Sequence, residues 1–443
     1  MDCWHWHLPD APPGLMAFRH FESALACDER EGRSVHVIAE QDAGIESAYA
    51  WFRLTVSVLL STLGGISLWS VVVVLPSVQS EFAVDRATAS LPYTLTMVGF
   101  AIGGVLMGRL ADRFGIATAV LIGSIALSIG YITAGYAQSL WQFAIVHGVL
   151  IALLGGAATF GPVVTDVSHW FTRRRGFAVA IAASGNYLSG TVWPPIVQHF
   201  VQTIGWRQTH IGIGLICAVT MIPLALVLRR RPPAQELTTN AGFATATPGT
   251  LGLSPGALQW LLSIAGFACC VAMSMPQVHI VAYCGDLGYG VERGAQMLSL
   301  MLGLGIASRI GSGFVADRIG GVRTLLVGSL AQMLALLLYL GFSGLTSLYV
   351  ISALFGLFQG GIIPSYAIIV REYFPAREAG MRFGIVIMAT LFGMAFGGWI
   401  SGLIFDVTGS YSTAFANGAL WNLLNACIAV ALLTRSVRRV AHA

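Results

Sequence analysis

One charged side chain stands alone in a long apolar run: Arg309, within Leu302-Gly-Leu-Gly-Ile-Ala-Ser-Arg309-Ile-Gly-Ser-Gly. It precedes Asp317 by eight residues, about 12 Å at a helical rise of ~1.5 Å per residue. With Asp317 at a membrane surface, Arg309 falls near mid-bilayer. A charge there costs roughly 2.5–3.5 kcal/mol on insertion scales and has to face a polar cavity with a partner. A guanidinium fork matches a carboxylate two bonds at a time, so the chemistry offered is capture of an anion. The plainer reading is an arginine locked to a neighbouring helix or snorkelling to the surface.

Other residues of chemical interest sit in similar runs. His147 and His279 are candidate proton carriers, because histidine titrates near physiological pH; a buried hydrogen-bonded packing role is the alternative for each. Asp286, near the end of its apolar run, is a candidate gate acid or a solvated loop residue. Asn186 and Gln359 are uncharged polar residues that need partners in lipid, so they line a cavity or bond between helices. Trp69 and Tyr366 are candidate aromatic cavity walls, against ordinary packing.

The elements that position these residues follow from composition. Of 443 residues, 56% are hydrophobic and 10% charged, where a soluble domain carries about 25% charged. The chain contains no lysine, so its 24 basic residues are all arginine. That excludes lysine Schiff-base chemistry and a lysine-based phosphate loop. HExxH and paired CxxC motifs are absent, so neither a metal site nor an enzyme is expected. The seven cysteines read as small core residues.

Apolar runs of about 20 residues, the length that crosses a ~30 Å core, predict helices over 53–78, 88–110, 116–137, 141–165, 176–199, 209–229, 257–284, 294–314, 322–342, 346–370, 382–405 and 411–433. Arginines at alternate ends give the orientation. One side collects seventeen, from Arg53 to Arg439, and the other holds Arg86, Arg207 and Arg293. Both termini are therefore expected in the cytoplasm. Residues 1–50 lack a signal-peptide core, hold nine of the twenty acids, and read as a disordered tail. Its Trp4-His5-Trp6-His7 cluster reads as loose tail, and Met16 is an alternative start.

Two motifs occur twice. Gly108-Arg-Leu-Ala-Asp112-Arg113-Phe-Gly115 returns 205 residues later as Gly313-Phe-Val-Ala-Asp317-Arg318-Ile-Gly320. Trp170-Phe171 with Arg173 to Gly176 returns as Tyr373-Phe374 with Arg377 to Gly380. Such duplication fits a transporter of parallel six-helix halves. The motifs resemble the loop signature of the major facilitator superfamily over residues 51–434. Within it, His169 to Gly176, the small residues Ala182 to Gly185 and the Arg309–Asp317 spacing resemble the monocarboxylate porters and oxalate–formate exchangers. That resemblance implies that Arg309 binds the substrate carboxylate. Two departures matter: Gly305 stands where relatives often carry an acid, and 383–405 hold no second cation. A single buried cation suits a monoanion and leaves proton coupling without its usual carboxylate.

The expected fold is an all-α membrane protein of twelve transmembrane helices in two six-helix pseudo-repeats. Its expected parts are a tail (1–50), an N-terminal half (51–230), a cytoplasmic linker (231–256), a C-terminal half (257–434) and a short tail (435–443). Asp112, Arg113, Asp317 and Arg318 are expected to form ion pairs that close the cytoplasmic side, against a plain role as topology signals and surface pairs; Asp166 and Glu372 are either further gating acids or plain surface pairs. The function expected is proton symport of a small monocarboxylate across the inner membrane, by a monomer without cofactor or nucleic-acid partner. An antiporter or efflux pump is the first alternative, and a transporter-like sensor acting through the acidic tail is the second.

Overall fold

The computed structural model describes residues 45–230 and 252–440. Nearly all of the expected disordered tail, with its tryptophan–histidine cluster, and most of the expected linker lie outside the described residues.

The described chain is helical throughout its long apolar stretches, eleven of them by length and composition. One stretch, Gly176–Val227, has 52 residues, about twice the span a bilayer needs. It is two helices. Gly205 adopts φ 82° and ψ 158° and folds the chain back on itself, a conformation open to glycine because it lacks a Cβ. The twelve helices are then α1 (Ala48–Phe82), α2 (Arg86–Phe114), α3 (Ile116–Gly135), α4 (Leu140–Val167), α5 (176–204), α6 (206–227), α7 (Pro255–Asp286), α8 (Val291–Ile319), α9 (Gly321–Gly341), α10 (Leu345–Tyr373), α11 (Glu378–Thr408) and α12 (Tyr411–Arg435). Each lies within five residues of its sequence-based bounds.

The helix starts are locally encoded. Ser47, Asp85, Ser139 and Ser254 each accept a hydrogen bond from a backbone amide of the first turn, satisfying donors that a helix leaves open. Gly115 and Gly320, one repeat apart, turn the chain with φ 90° and 82° between α2 and α3 and between α8 and α9. The doubled loop motif therefore ends on a glycine for a conformational reason.

Between membrane helices, close approach of small residues replaces the hydrophobic effect as the packing device. Gly99 and Gly103 of α2 lie against the backbone carbonyls of Gly148 and Leu153 of α4. Gly356 of α10 meets Met301 of α8, and Gly393 of α11 meets Phe267 of α7. α1 packs on α5 through Ser61 and Gly185. Both halves thus pair their first helix with the fifth and their second with the fourth. Mid-way, α4 loosens into a π-helical segment, His147–Gly155, and then a 3₁₀ turn, Gly156–Thr159. α10 is interrupted at Gly360 and Gly361, where the backbone presses on Gly305, Ser308 and Ser312 of α8.

Asp166 and Glu372, read as gating acids or surface pairs, act within their own halves. Asp166 takes a two-pronged ion pair from Arg53, 2.8 Å from Nε and 2.9 Å from Nη2. Arg53 is fully buried, donates also to the carbonyls of Leu228 and Arg230, and lies 4.8 Å from the Trp170 ring centroid. The pair bolts α1, α4 and the end of α6 together. Glu372, one repeat later, accepts from the amide of Gly321 and caps α9. A local acid found the partner nearest to it in its own half.

Removing one member of a buried pair strands the other charge, which typically costs about 3–5 kcal/mol. Arg53→Ala is expected to lower the detergent-solubilised protein's melting temperature sharply. The double variant Arg53→Met with Asp166→Leu should recover most of it. Single variants that melt like the parent would remove the bolt's structural role.

Candidate functional site

The halves touch along a seam, and the side chains that join them lie from its middle to the arginine-poor end. There, Thr94 of α2 donates to the Ala395 carbonyl of α11 at 3.2 Å. Gly398 faces the Tyr93 ring, and Gly402 sits against Arg86 and Ala87. In the middle, Ser299 of α8 donates to the carbonyl of Thr191 of α5, and Leu302 packs on Gly190. At the arginine-rich end, Asp112 and Asp317 are exposed and form no ion pair among the described residues, and Arg318 is exposed likewise. Arg113 lies over the neighbouring Phe114 ring, 5.2 Å from its centroid. Asp112 and Arg113 line an open cavity of about 800 Å³ with His169, Arg229 and Arg230. The pairs expected to close this end are unmade in a bundle shut at the other end.

Where the closed part of the seam gives way to the open part stands Arg309. Its guanidinium lies 4.4 Å from the ring centroid of Tyr187 on α5, so it reaches across the seam and rests on the opposite half. No carboxylate pairs with it among the described residues, and its Nε is buried without a hydrogen-bond partner. A cation on an aromatic face gains about 0.5–2 kcal/mol, less than an ion pair in a dry site would give. Gly305, one turn before, brings its Cα against that same Tyr187 ring. The departure at Gly305 is thus steric: a larger side chain there would displace the ring on which Arg309 rests.

Around this point, several polar atoms are buried without partners. Asn186 keeps its Oδ1 unpaired, while its backbone carbonyl accepts from Trp69 Nε1 at 3.4 Å. Trp69 also packs on Gly190. Gln359 accepts from Gln277 at 2.8 Å, leaving Gln359 Nε2 and Gln277 Oε1 free. In lipid such atoms need water or a ligand. Tyr366 is a correction. It is buried in the core of the C-terminal half, with its hydroxyl spent on Asn425 at 3.0 Å, because a long phenol on α10 finds a hydrogen-bond acceptor on α12.

The two histidines part ways. His147 is buried inside the N-terminal half, 3.4 Å from His210 of α6 and surrounded by Phe143 and Tyr131; it packs away from the seam. His279 is at the closed end. Its Nε2 donates to the Gly398 carbonyl at 2.8 Å and its Nδ1 faces the Tyr411 hydroxyl at 3.4 Å. That hydroxyl accepts from Arg86 Nη1 at 2.9 Å. Arg86 Nη2 reaches Asp286 at 3.2 Å, and the Asp406 carboxylate takes the backbone amides of Arg86 and Ala87 at 2.9 and 2.7 Å. Asp286 is therefore part of a cross-half latch. Sequence reading missed Arg86, Asp406 and Tyr411 as its members. A trace was present: Arg86 is one of three arginines on the arginine-poor side, where a basic residue runs against the charge bias.

The Major Facilitator Superfamily model matches residues 57–347 and 312–442. Monocarboxylate transporter 13 of Rattus norvegicus is 25% identical over 346 residues, covering 78% of each chain. Among solved structures, the nucleoside transporter NupG aligns with TM-score 0.67 at 15% identity, over 86% of this chain and 99% of that one. A bacterial homologue of the human lysosomal transporter Spinster, in an inward-facing and occupied conformation, aligns with TM-score 0.65 at 16% identity, over 88% and 96%.

Hydrogen bonds to a charged group are worth about 1.5–3 kcal/mol, and those of Asp406 exist only while the latch is shut. Asp406→Asn is expected to move the population toward closure of the arginine-rich mouth. Spin labels placed across that mouth should report a shorter distance by double electron–electron resonance. An unchanged distance distribution would show that Asp406 does not hold the latch.

Proposed function

The chain belongs to the major facilitator superfamily, and on that premise we propose that it is a secondary transporter of a small organic anion, a monocarboxylate, moved with protons by alternating access. The observation that carries this reading is Arg309: an unpaired cation at the seam, cushioned on Tyr187 and with a buried donor left open. An anion is the natural occupant, since bidentate capture by a guanidinium supplies what the aromatic face does not. Asn186 and Gln359 supply the remaining polar contacts, and Trp69 an apolar wall. The similarity to a monocarboxylate transporter supports the class of cargo.

Taking the arginine-rich end as cytoplasmic, both termini lie in the cytoplasm and the membrane is the cytoplasmic one. The structure then corresponds to an inward-open state. The two halves, 51–230 and 257–434, rock about the seam; the latch of Arg86, Asp286 and Asp406 parts as the Asp112 and Asp317 loops come together. Absence of a second cation in 383–405 favours one negative charge per cycle. The protein works as a monomer, because the site lies between halves of one chain.

Uptake of a panel of labelled monocarboxylates into proteoliposomes, with and without an inward proton gradient, tests this directly. One acid is expected to accumulate only with the gradient. Arg309→Ala should cut that uptake at least 100-fold, as loss of a charged hydrogen-bonding partner of about 3 kcal/mol implies, and Arg309→Lys should restore it only partly. No carboxylate moved, or an active alanine variant, would redirect the reading toward neutral or cationic cargo.

A further inference from the structure

We propose that His279 is a proton-operated switch for the latch at the arginine-poor, outer face: a proton taken up on its Nδ1 breaks the chain that holds this face shut. The proposal deepens the transport reading, on whose assignment of the outer face it rests.

The argument is one of donors and acceptors. The Gly398 carbonyl can only accept, so His279 Nε2, 2.8 Å away, carries a hydrogen. A neutral ring then has a bare Nδ1, which accepts from the Tyr411 hydroxyl at 3.4 Å. With its hydrogen so placed, the Tyr411 oxygen is free to accept from Arg86 Nη1 at 2.9 Å. Arg86, held there, reaches Asp286 on the other half. In the chain Asp286–Arg86–Tyr411–His279, Arg86 donates to both of its neighbours, Tyr411 passes its own hydrogen on, and the bare Nδ1 of the neutral imidazole ends the run as an acceptor.

A proton on Nδ1 reverses the last link. Two donors would then face each other across the Tyr411 contact, and two cations would share a site where His279 is fully buried and the Arg86 side chain is 9% exposed. Like charges in a poorly solvated site repel far more than in water. The neighbours do not offset this. Tyr93 on α2, Tyr283 on α7 and Tyr411 on α12 are neutral phenols. Asp406 on α11 is committed to two backbone amides. Asp286 already balances Arg86, and Glu292 at the start of α8 is exposed. Latch closure and proton binding therefore exclude one another: the shut state is stable at high external pH and is lost as the pH falls. An outer cleft of about 350 Å³, lined by Arg86, Asp286, Ala282 and Gln79, leads from solvent to the latch.

The switch is read without any substrate. Ala282 is 2% exposed in the shut state, so Ala282→Cys should react slowly with a membrane-impermeant maleimide until the latch opens. In right-side-out vesicles, with the parent chain as blank, the labelling rate is expected to rise several-fold as external pH falls from about 8 to about 5, across the ordinary histidine range. His279→Gln keeps a donor for Gly398 and an acceptor for Tyr411 but takes no proton. It should label slowly at every pH, which also shows that it folds and shuts. Tyr411→Phe cuts the chain and should label faster throughout, with a flatter profile. A pH-independent rate in the Ala282→Cys protein, or a slope that survives in His279→Gln, would overturn the proposal. A panel in which no carboxylate moves would defeat the cargo assignment yet leave the labelling result standing.

Discussion

Inside a hydrocarbon slab a guanidinium has no water to retreat to, and this fold disposes of three embedded arginines in three ways. Arg53 is buried whole and neutralised by Asp166, with two carbonyls and the Tyr49 hydroxyl taking its remaining hydrogens. Arg86 is held at the border, where its charge is shared with Asp286 and Tyr411 across the seam. Arg309 is left without a carboxylate, resting on a tyrosine ring. The cost of burying charge is met permanently in the first case, conditionally in the second, and, on the proposed function, by an incoming ligand in the third. On the proposed function the three serve rigidity, gating and binding in turn.

The two halves show how duplication is put to different uses. Glu372 and Asp166 stand at matching places, yet one caps the helix after the repeated loop and the other is drawn away to Arg53. α1 has an arginine there to do the drawing. The C-terminal half meets the same need with Gln259, which reaches the Arg382 carbonyl. The repeated glycines Gly115 and Gly320 persist in both halves because a positive φ leaves little freedom.

Much of this was legible in the chain, and the reasons for the rest are physical. Twelve spans were readable because hydrocarbon thickness fixes their length, and Arg309 because one charge in an apolar run has few explanations. Even the fold-back at Gly205 was implied by a loss of hydropathy between 199 and 209. Asp166, Glu372, His147 and Tyr366 were placed at a cavity or gate because their types permit it; each found a partner more than fifty residues away in its own half. Such pairings depend on which helix faces are adjacent, which periodicity in an almost uniformly apolar helix does not reveal. The latch escaped notice for the same reason, since Arg86, Asp286 and Asp406 are scattered over more than 300 residues.

On the proposed function, the resting of Arg309 on Tyr187 ties recognition to motion. The guanidinium belongs to one half and the ring to the other, so any anion that captures Arg309 also handles a joint between moving parts. Affinity and turnover would then not be independent quantities. A compact carboxylate can replace the aromatic cushion and leave the joint free to slide. A bulky aromatic acid that engages Arg309 and also wedges beside Tyr187 would hold the seam at one angle. It would act as an inhibitor selective for a single conformation, and the narrowness of Gly305 would set the size at which cargo becomes a lock.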